Sequence, residues 1–99
     1  MIYVTRTGSI APGKSPAAWA FAQKAADHWK TAWDRTLDLR RPIGGNPNRI
    51  AWVAQYKDLA DFEAATLKAS ADPKYIELLV TAGDLFIAGS VHDDIWRTA

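Results

Sequence analysis

The stretch RPIGGNPNRIAWVAQY, residues 41–56, decides the fold, because it admits two opposite readings. A glycine pair between Arg41 and Arg49 is the chemistry of a phosphate-binding loop, and equally that of a turn between strands. A phosphate loop needs a helix N-terminus behind it, so that free N–H groups and the helix dipole meet the anion. Beyond Asn48 the chain instead runs from Arg49 to Tyr56, rich in Ile50, Trp52, Val53 and Tyr56, which is strand composition. On the near side Leu37 and Leu39 alternate with Asp38 and Arg40 across Thr36 to Arg41, and Pro42 closes that run. The connection, about six residues with glycine, asparagine and proline, has the size and chemistry of a hairpin loop. Residues 36–56 therefore read as a β-hairpin, with Arg41 and Arg49 at its feet as solubilising charges that stay available to an anion.

Toward the N-terminus, Ile2 to Thr7 is β-branched and aromatic and reads as a first strand. Pro12, Gly13 and Pro16 break it off. Ser15 is then expected as the N-cap of a helix, with Pro16 in its first turn. From Pro16 to about Trp33 the spacing is helical. Ala18, Ala22, Ala25, Trp29 and Ala32 lie near the centre of one face, flanked by Trp19, Ala26 and Trp33 on one side and by Phe21 and His28 on the other. This apolar arc covers roughly half the circumference, more than a single sheet face requires.

Downstream, Asp58 is the expected N-cap of a short helix through Leu59, Phe62, Ala65, Thr66 and Ala69, with Asp61 three residues on in capping-box position. Asp72-Pro73 starts another helix through Tyr75, Ile76, Leu79 and Val80, and Gly83 is the expected left-handed residue past its end. Leu85 to Gly89 bridges to a last strand, Val91 to Trp96.

The order β-α-β-β-α-(α)-β is the split βαβ of a ferredoxin-like α+β sandwich. A four-stranded antiparallel sheet carries its helices on one face, and residues 1–99 form one domain. The other face is left open, with Trp52, Tyr56 and Trp96 expected to project there. An open apolar sheet face calls for a further layer, most simply a second copy of the chain.

The segments RPIGGNPNRIAW, DLADFEA, ADPKY and GSVHDDIW together resemble the small dimeric α+β barrel proteins, the group of NIPSNAP-like and antibiotic-biosynthesis-monooxygenase-like domains. The resemblance follows element order along nearly the whole chain, and its specific parts are residues 41–56 and 89–96. It implies two ferredoxin-like sheets packed into a barrel across a two-fold axis. Such proteins include cofactor-free oxygenases, haem-degrading enzymes and many of no known activity, so the fold does not deliver a function. One departure stands out. These domains commonly end the first helix in a glycine turn, and residues 30–36 contain no glycine.

Composition narrows the rest. Lys plus Arg is 12 against 11 for Asp plus Glu, a balance that offers nothing to nucleic acid or an anionic membrane. The absence of cysteine excludes disulfides and thiolate chemistry and fits a reducing compartment. No apolar run approaches the ~20 residues of a membrane span. MIYVTRTGSI shows no basic leader before a long apolar stretch, so a cytoplasmic protein without signal peptide is expected.

Chemistry is thinly marked. His28 is a candidate base only if a carboxylate orients it, and Asp27 points about 100° away around the helix. His92 and Asp94 share a strand face with Trp96, and two adjacent carboxylates, Asp93 and Asp94, can raise one pKa. Two nearby ligands do not make a metal site. Tyr3, Trp52, Tyr56 and Trp96 are the expected lining of a barrel pocket. Trp19, Ala22, Trp29 and Trp33 are the expected surface of a second, helical interface. A haem-degrading member would need an axial histidine in the cavity, and sequence alone puts neither His28 nor His92 there. The reading is a homodimeric barrel protein with itself as partner, no cofactor and catalysis undecided. The alternative is a cofactor-independent oxygenase or small-molecule binder using the barrel interior.

Overall fold

A computed structural model describes residues 1–99. Strand β1 (Ile2–Ser9) leads into helix α1 (Ser15–Trp33), and the chain continues through β2 (Asp38–Arg40), β3 (Arg49–Tyr56), α2 (Leu59–Ser70), α3 (Pro73–Val80) and β4 (His92–Arg97). The sheet order is β2-β3-β1-β4, with every pair antiparallel. This is the ferredoxin-like α+β arrangement that the element order implies, with β3 inserted between β1 and β2.

The hairpin reading of residues 41–56 holds, with a shorter first strand and a longer loop. Only Asp38–Arg40 pair with β3, and residues 41–48 form the connection. Gly45 adopts φ 71°, which a side chain rarely tolerates. Asn46 accepts a hydrogen bond from the Asn48 amide at 2.9 Å, closing the turn as an Asx motif. Arg49 does not hang free beneath it. Its Nε donates to the Asn46 carbonyl (2.8 Å) and its Nη2 to the Gly44 carbonyl (3.0 Å). Arg41 lies over the Trp19 ring, 3.9 Å from its centroid.

Helix α1 buries Ala18, Phe21, Ala22 and Ala25 against the sheet. Alanine at these positions lets the helix backbone approach closely, and the larger rings fill in from the sides. Ile10, Ile50, Trp52 and Leu85 complete the main cluster. Ile2, Ala54 and Tyr56 form a second one, with Trp29 and Phe62 packed against it. The helix start differs from expectation. Ser15 is already helical, and the cap position is Lys14, which makes no side-chain cap bond. Its carbonyl accepts the first helical hydrogen bond, from the Ala18 amide at 2.8 Å. At the other end Asp34 takes the left-handed role usually given to glycine, at φ 50°. A short polar side chain tolerates that region better than most.

Asp58 and Asp72 cap α2 and α3 as expected. Asp58 accepts from the Asp61 amide, and Asp72 from the amides of Lys74 and Tyr75. The capping box closes one residue early, because Asp61 accepts from the Lys57 amide at 2.9 Å. Its other oxygen takes 2.6 Å from Arg35 Nη2, tying the start of α2 to the segment after α1. Gly83 is not left-handed. The amides of Thr81, Ala82, Gly83 and Leu85 each bond three residues back, so α3 unwinds through successive right-handed turns. Leu85 to Gly89 then bridges beside β1 through the pair Ile10 and Phe86.

Candidate functional site

Strand register sorts the side chains. In antiparallel pairs, directly opposed residues share a face, and alternate residues along a strand take opposite faces. Ile50, Trp52, Ala54 and Tyr56 of β3 are all buried, so their parity faces the helices. Their opposed residues on β1 (Ile2, Val4, Arg6 and Gly8) face the same way.

The remaining parity forms the open face, in three rows across the sheet. Tyr3 stands between Gln55 and Trp96; Thr5 between Val53 and Asp94; Thr7 between Ala51 and His92. Asp38 and Arg40 of β2 extend the second and third rows. His92 Nε2 lies 3.3 Å from Asp94 Oδ1. Both are well exposed, and such a pair is weak in water.

The structure thus brings Tyr3, His92, Asp94 and Trp96 onto one face and removes two residues expected beside them. Trp52, 9% exposed, and Tyr56, 4% exposed, point to the helices. Trp52 meets Phe86 edge-on at 5.6 Å, and Tyr56 meets Phe62 at 5.2 Å. Burial pushes the Tyr56 phenol pKa up, against the opposing pull of Arg35. The signal that assigns the faces was present, since Ile50, Trp52, Ala54 and Tyr56 are together more apolar than Arg49, Ala51, Val53 and Gln55.

Asp93 and Asp94 do not share a proton. They point to opposite faces, and Asp93 takes a two-pronged ion pair from Arg6 at 2.7 and 2.9 Å. That hydrogen bonding holds the Asp93 carboxyl below the usual range rather than above it. Nowhere do three His, Asp or Glu side chains gather closely enough to hold a metal ion.

The expected helical interface is also redrawn. Ala22 is fully buried in the core. Trp29 and Trp33 pack on each other at 5.5 Å, and Trp33 meets Tyr75 of α3 at 5.0 Å. Trp19 lies beneath Arg41. These indoles join α1 to its own chain. His28 belongs to the same seam, stacked on Tyr75 at 5.6 Å with Nε2–H donating to Asp72 at 2.9 Å. The carboxylate that orients His28 comes from 44 residues away, a partner that helical geometry around Asp27 could not reveal.

At the β2 edge a cavity of about 420 Å³ runs from Tyr3 and Gln55 past Arg35 and Asp38 to Trp29. It exists because β2 stops at Asp38 and leaves the end of β3 unpaired. The buried Trp29 Nε1 makes no hydrogen bond.

An open four-stranded antiparallel sheet backed by three helices, with a polar and aromatic outer face, defines the class: a ferredoxin-like α+β protein. Its structural neighbours are NIPSNAP family proteins and antibiotic-biosynthesis-monooxygenase-like proteins. A NIPSNAP domain protein of unassigned role from Burkholderia xenovorans superposes with a TM-score of 0.84 at 19% identity, over 100% of this chain and 95% of that one. A NIPSNAP family protein of unknown function from Agrobacterium tumefaciens gives 0.82 at 21% identity, over 100% and 88%. A proposed antibiotic biosynthesis monooxygenase from Nitrosomonas europaea gives 0.76 at 16%, over 99% and 98%. Identity at this level establishes a common fold. No protein-family model matches the sequence, and no curated protein is significantly similar to it. No helix is long and apolar enough to cross a membrane.

Proposed function

We propose that the chain acts as a homodimer, two copies pairing through their open sheet faces to close an α+β barrel. The observation that carries this reading is Trp96, 65% exposed on the open face beside Tyr3, on an edge strand where every residue is exposed. A large indole with no cover and an unpaired strand edge are both features that a partner removes from water. The similarity to NIPSNAP structures adds support at the level of fold.

Light scattering on a sizing column tests it. The expected mass is twice the chain's 10.9 kDa. Trp96→Asp places a charge in the seam and is expected to yield a folded monomer with an unchanged far-ultraviolet spectrum. A monomeric parent, or a Trp96→Asp protein that stays dimeric, overturns the proposal.

The polarity of the same face favours a second reading, a small-molecule site inside the barrel. Asp38, Arg40, His92 and Asp94 would be costly in a dry seam, so closure leaves a wet cavity that an organic ligand can share with Tyr3 and Trp96. Cofactor-independent oxygenase chemistry is the activity that fold analogy adds, with His92 as base and Asp94 orienting it. His92→Ala then abolishes ligand turnover while leaving the dimer mass unchanged. Turnover that survives the substitution removes His92 from that role.

A further inference from the structure

The sheet has two edges, and they are not alike. At one, β2 contributes only the three residues Asp38–Arg40, too few to template a further strand. At the other, β4 runs for six residues in unbroken register with β1, with no bulge, proline or lysine to blunt it. Which of its backbone groups are free follows from one hydrogen bond. The Thr98 amide donates to the Met1 carbonyl at 3.1 Å, continuing the register in which Ile2 opposes Arg97. In an antiparallel pair, alternate residues direct both N–H and C=O to the neighbour, and the others direct both away. His92, Asp94 and Trp96 therefore bond to β1 as Thr98 does, and Asp93, Ile95 and Arg97 present their N–H and C=O groups to the open edge.

The side chains of the same three residues lie on the helix side of the sheet, opposite Arg6, Val4 and Ile2 of β1. They are left uncovered there, and Ile95 is 51% exposed. Arg97 pairs with no carboxylate of its own chain. Asp93 holds Arg6 with both oxygens, and each oxygen keeps a lone pair for a further donor. Along this edge an acid, an apolar side chain and a base thus follow one another, a pattern that matches its own reverse.

We infer that the free edge of β4 pairs with β4 of a second copy, antiparallel and centred on Ile95. This deepens the homodimer reading and rests on it: with the open faces turned inward, the two β4 edges form one seam of the barrel. A two-fold axis at Ile95 sets Ile95 against its own copy, Asp93 against the partner's Arg97, and Arg97 against the partner's Asp93. Free backbone groups then meet free backbone groups, and each pair exchanges two hydrogen bonds. The side chains agree with the backbone, since two apolar groups cover each other at the centre and an ion pair flanks them on either side. The neighbouring registers that also join free groups are poorer. Centring on Asp94 opposes two like carboxylates, and centring on Trp96 separates Asp93 from Arg97. On the inward face the Ile95 register sets Trp96 beside the partner's Asp94, so a carboxylate introduced at position 96 meets one already there.

The chain has no cysteine, so a single introduced one reports on the seam without background. Ile95→Cys places two thiols at the axis, where a hydrogen-bonded antiparallel pair holds its Cα atoms ~5.5 Å apart, within disulfide range. Mild oxidation is expected to link most of this protein into covalent dimers, while Leu67→Cys, also exposed but on α2, stays unlinked. Hydrogen exchange of the parent reads the backbone. The amides of Asp93, Ile95 and Arg97 should be slowed about tenfold or more in the dimer relative to the Trp96→Asp monomer. Arg97→Glu, which breaks no ion pair within the chain, should raise the dissociation constant about tenfold, because like charges then oppose each other on both sides of the axis. A parent that light scattering finds monomeric at every concentration removes the homodimer reading and the seam with it. A dimer whose Asp93, Ile95 and Arg97 amides exchange as in the monomer, and whose Ile95→Cys variant links no more than Leu67→Cys, keeps the face pairing and overturns the seam. An Arg97→Glu protein that dimerises as tightly as the parent overturns the register.

Discussion

Trp52→Ala is expected to lower the melting temperature by on the order of 20 °C, the largest loss of stability expected from a single truncation in this core. Truncating a buried tryptophan costs about 3–5 kcal/mol, and each kcal/mol shifts the midpoint of a domain this size by about 4–8 °C. The site is poorly able to relax. Trp52 is packed with Phe86, Phe21 and the alanines of α1, where Ala18 and Ala22 already bring the helix close to the sheet. Only 12 of 99 residues are buried, so one of the largest side chains among them is a substantial share of the core. Thermal unfolding followed by circular dichroism checks the expectation. The comparison with Leu67→Ala sharpens it, since that side chain on α2 is 63% exposed and lies away from the open sheet face, so its loss should move the melting temperature by only a few degrees. Equal losses at the two positions would mean that Trp52 does not face the helices.

The second large effect is expected at the seam between α1 and α3, and it depends on pH. Asp72 serves two partners at once, capping α3 through Lys74 and Tyr75 and accepting from His28. Asp72→Ala should lower the melting temperature by on the order of 5–10 °C at neutral pH, as loss of an N-cap does in a small domain. It should also speed hydrogen exchange of the α3 amides. The hydrogen bond from His28 holds the Asp72 carboxyl below its ordinary value of 3.8. A carboxyl depressed in the folded state contributes stability that is fully present above its unfolded pKa. That contribution is lost as the pH falls below 3.8 and through the folded value. His28→Phe keeps the stacking on Tyr75 and removes only the hydrogen bond. It should be less stable than the parent at neutral pH, with the difference vanishing in acid. Asp61 and Asp93 are depressed by Arg35 and Arg6 and add to acid loss in both proteins, so the difference isolates Asp72. Urea midpoints across pH provide the measurement, and curves that stay parallel down to strong acid would show that the pair contributes nothing.

Much of the fold was legible because its signals are local. A strand after the glycine pair, a proline after Asp72 and a helical spacing from Pro16 are each properties of a short window, and each element forms where the window says. The errors cluster where a window is too short to see the competing partner. Ser15 looks like a cap, but its neighbour takes the position. Gly83 looks like a left-handed stop, but α3 ends in turns that do not need one. In both cases the backbone finds other partners: the helix begins one residue earlier, and the last carbonyls of α3 are taken by amides three residues on.

The candidate site was legible in part. His92, Asp94 and Trp96 share a face by simple alternation, and Tyr3 joins them through register. Trp52 and Tyr56 face the helices rather than the open side, because alternation yields two sets of residues without naming the set that meets the helices. The apolar balance of β3 distinguishes them, and packing of Ala18, Ala22 and Phe21 makes the difference decisive. Helical spacing sets Trp19, Trp29 and Trp33 on or beside the apolar face of α1, but not what covers them, since the ring that meets Trp33 belongs to Tyr75.

Element type, element order and the antiparallel ferredoxin-like arrangement derive from residue patterns within this chain, because hydrophobic periodicity, capping and turn chemistry act over a few residues. Which aromatic rings become core, which carboxylate reaches His28 and which one reaches Arg6 are decided only by folding. Those contacts join segments tens of residues apart, and their energies depend on distances and exposures that no linear spacing encodes.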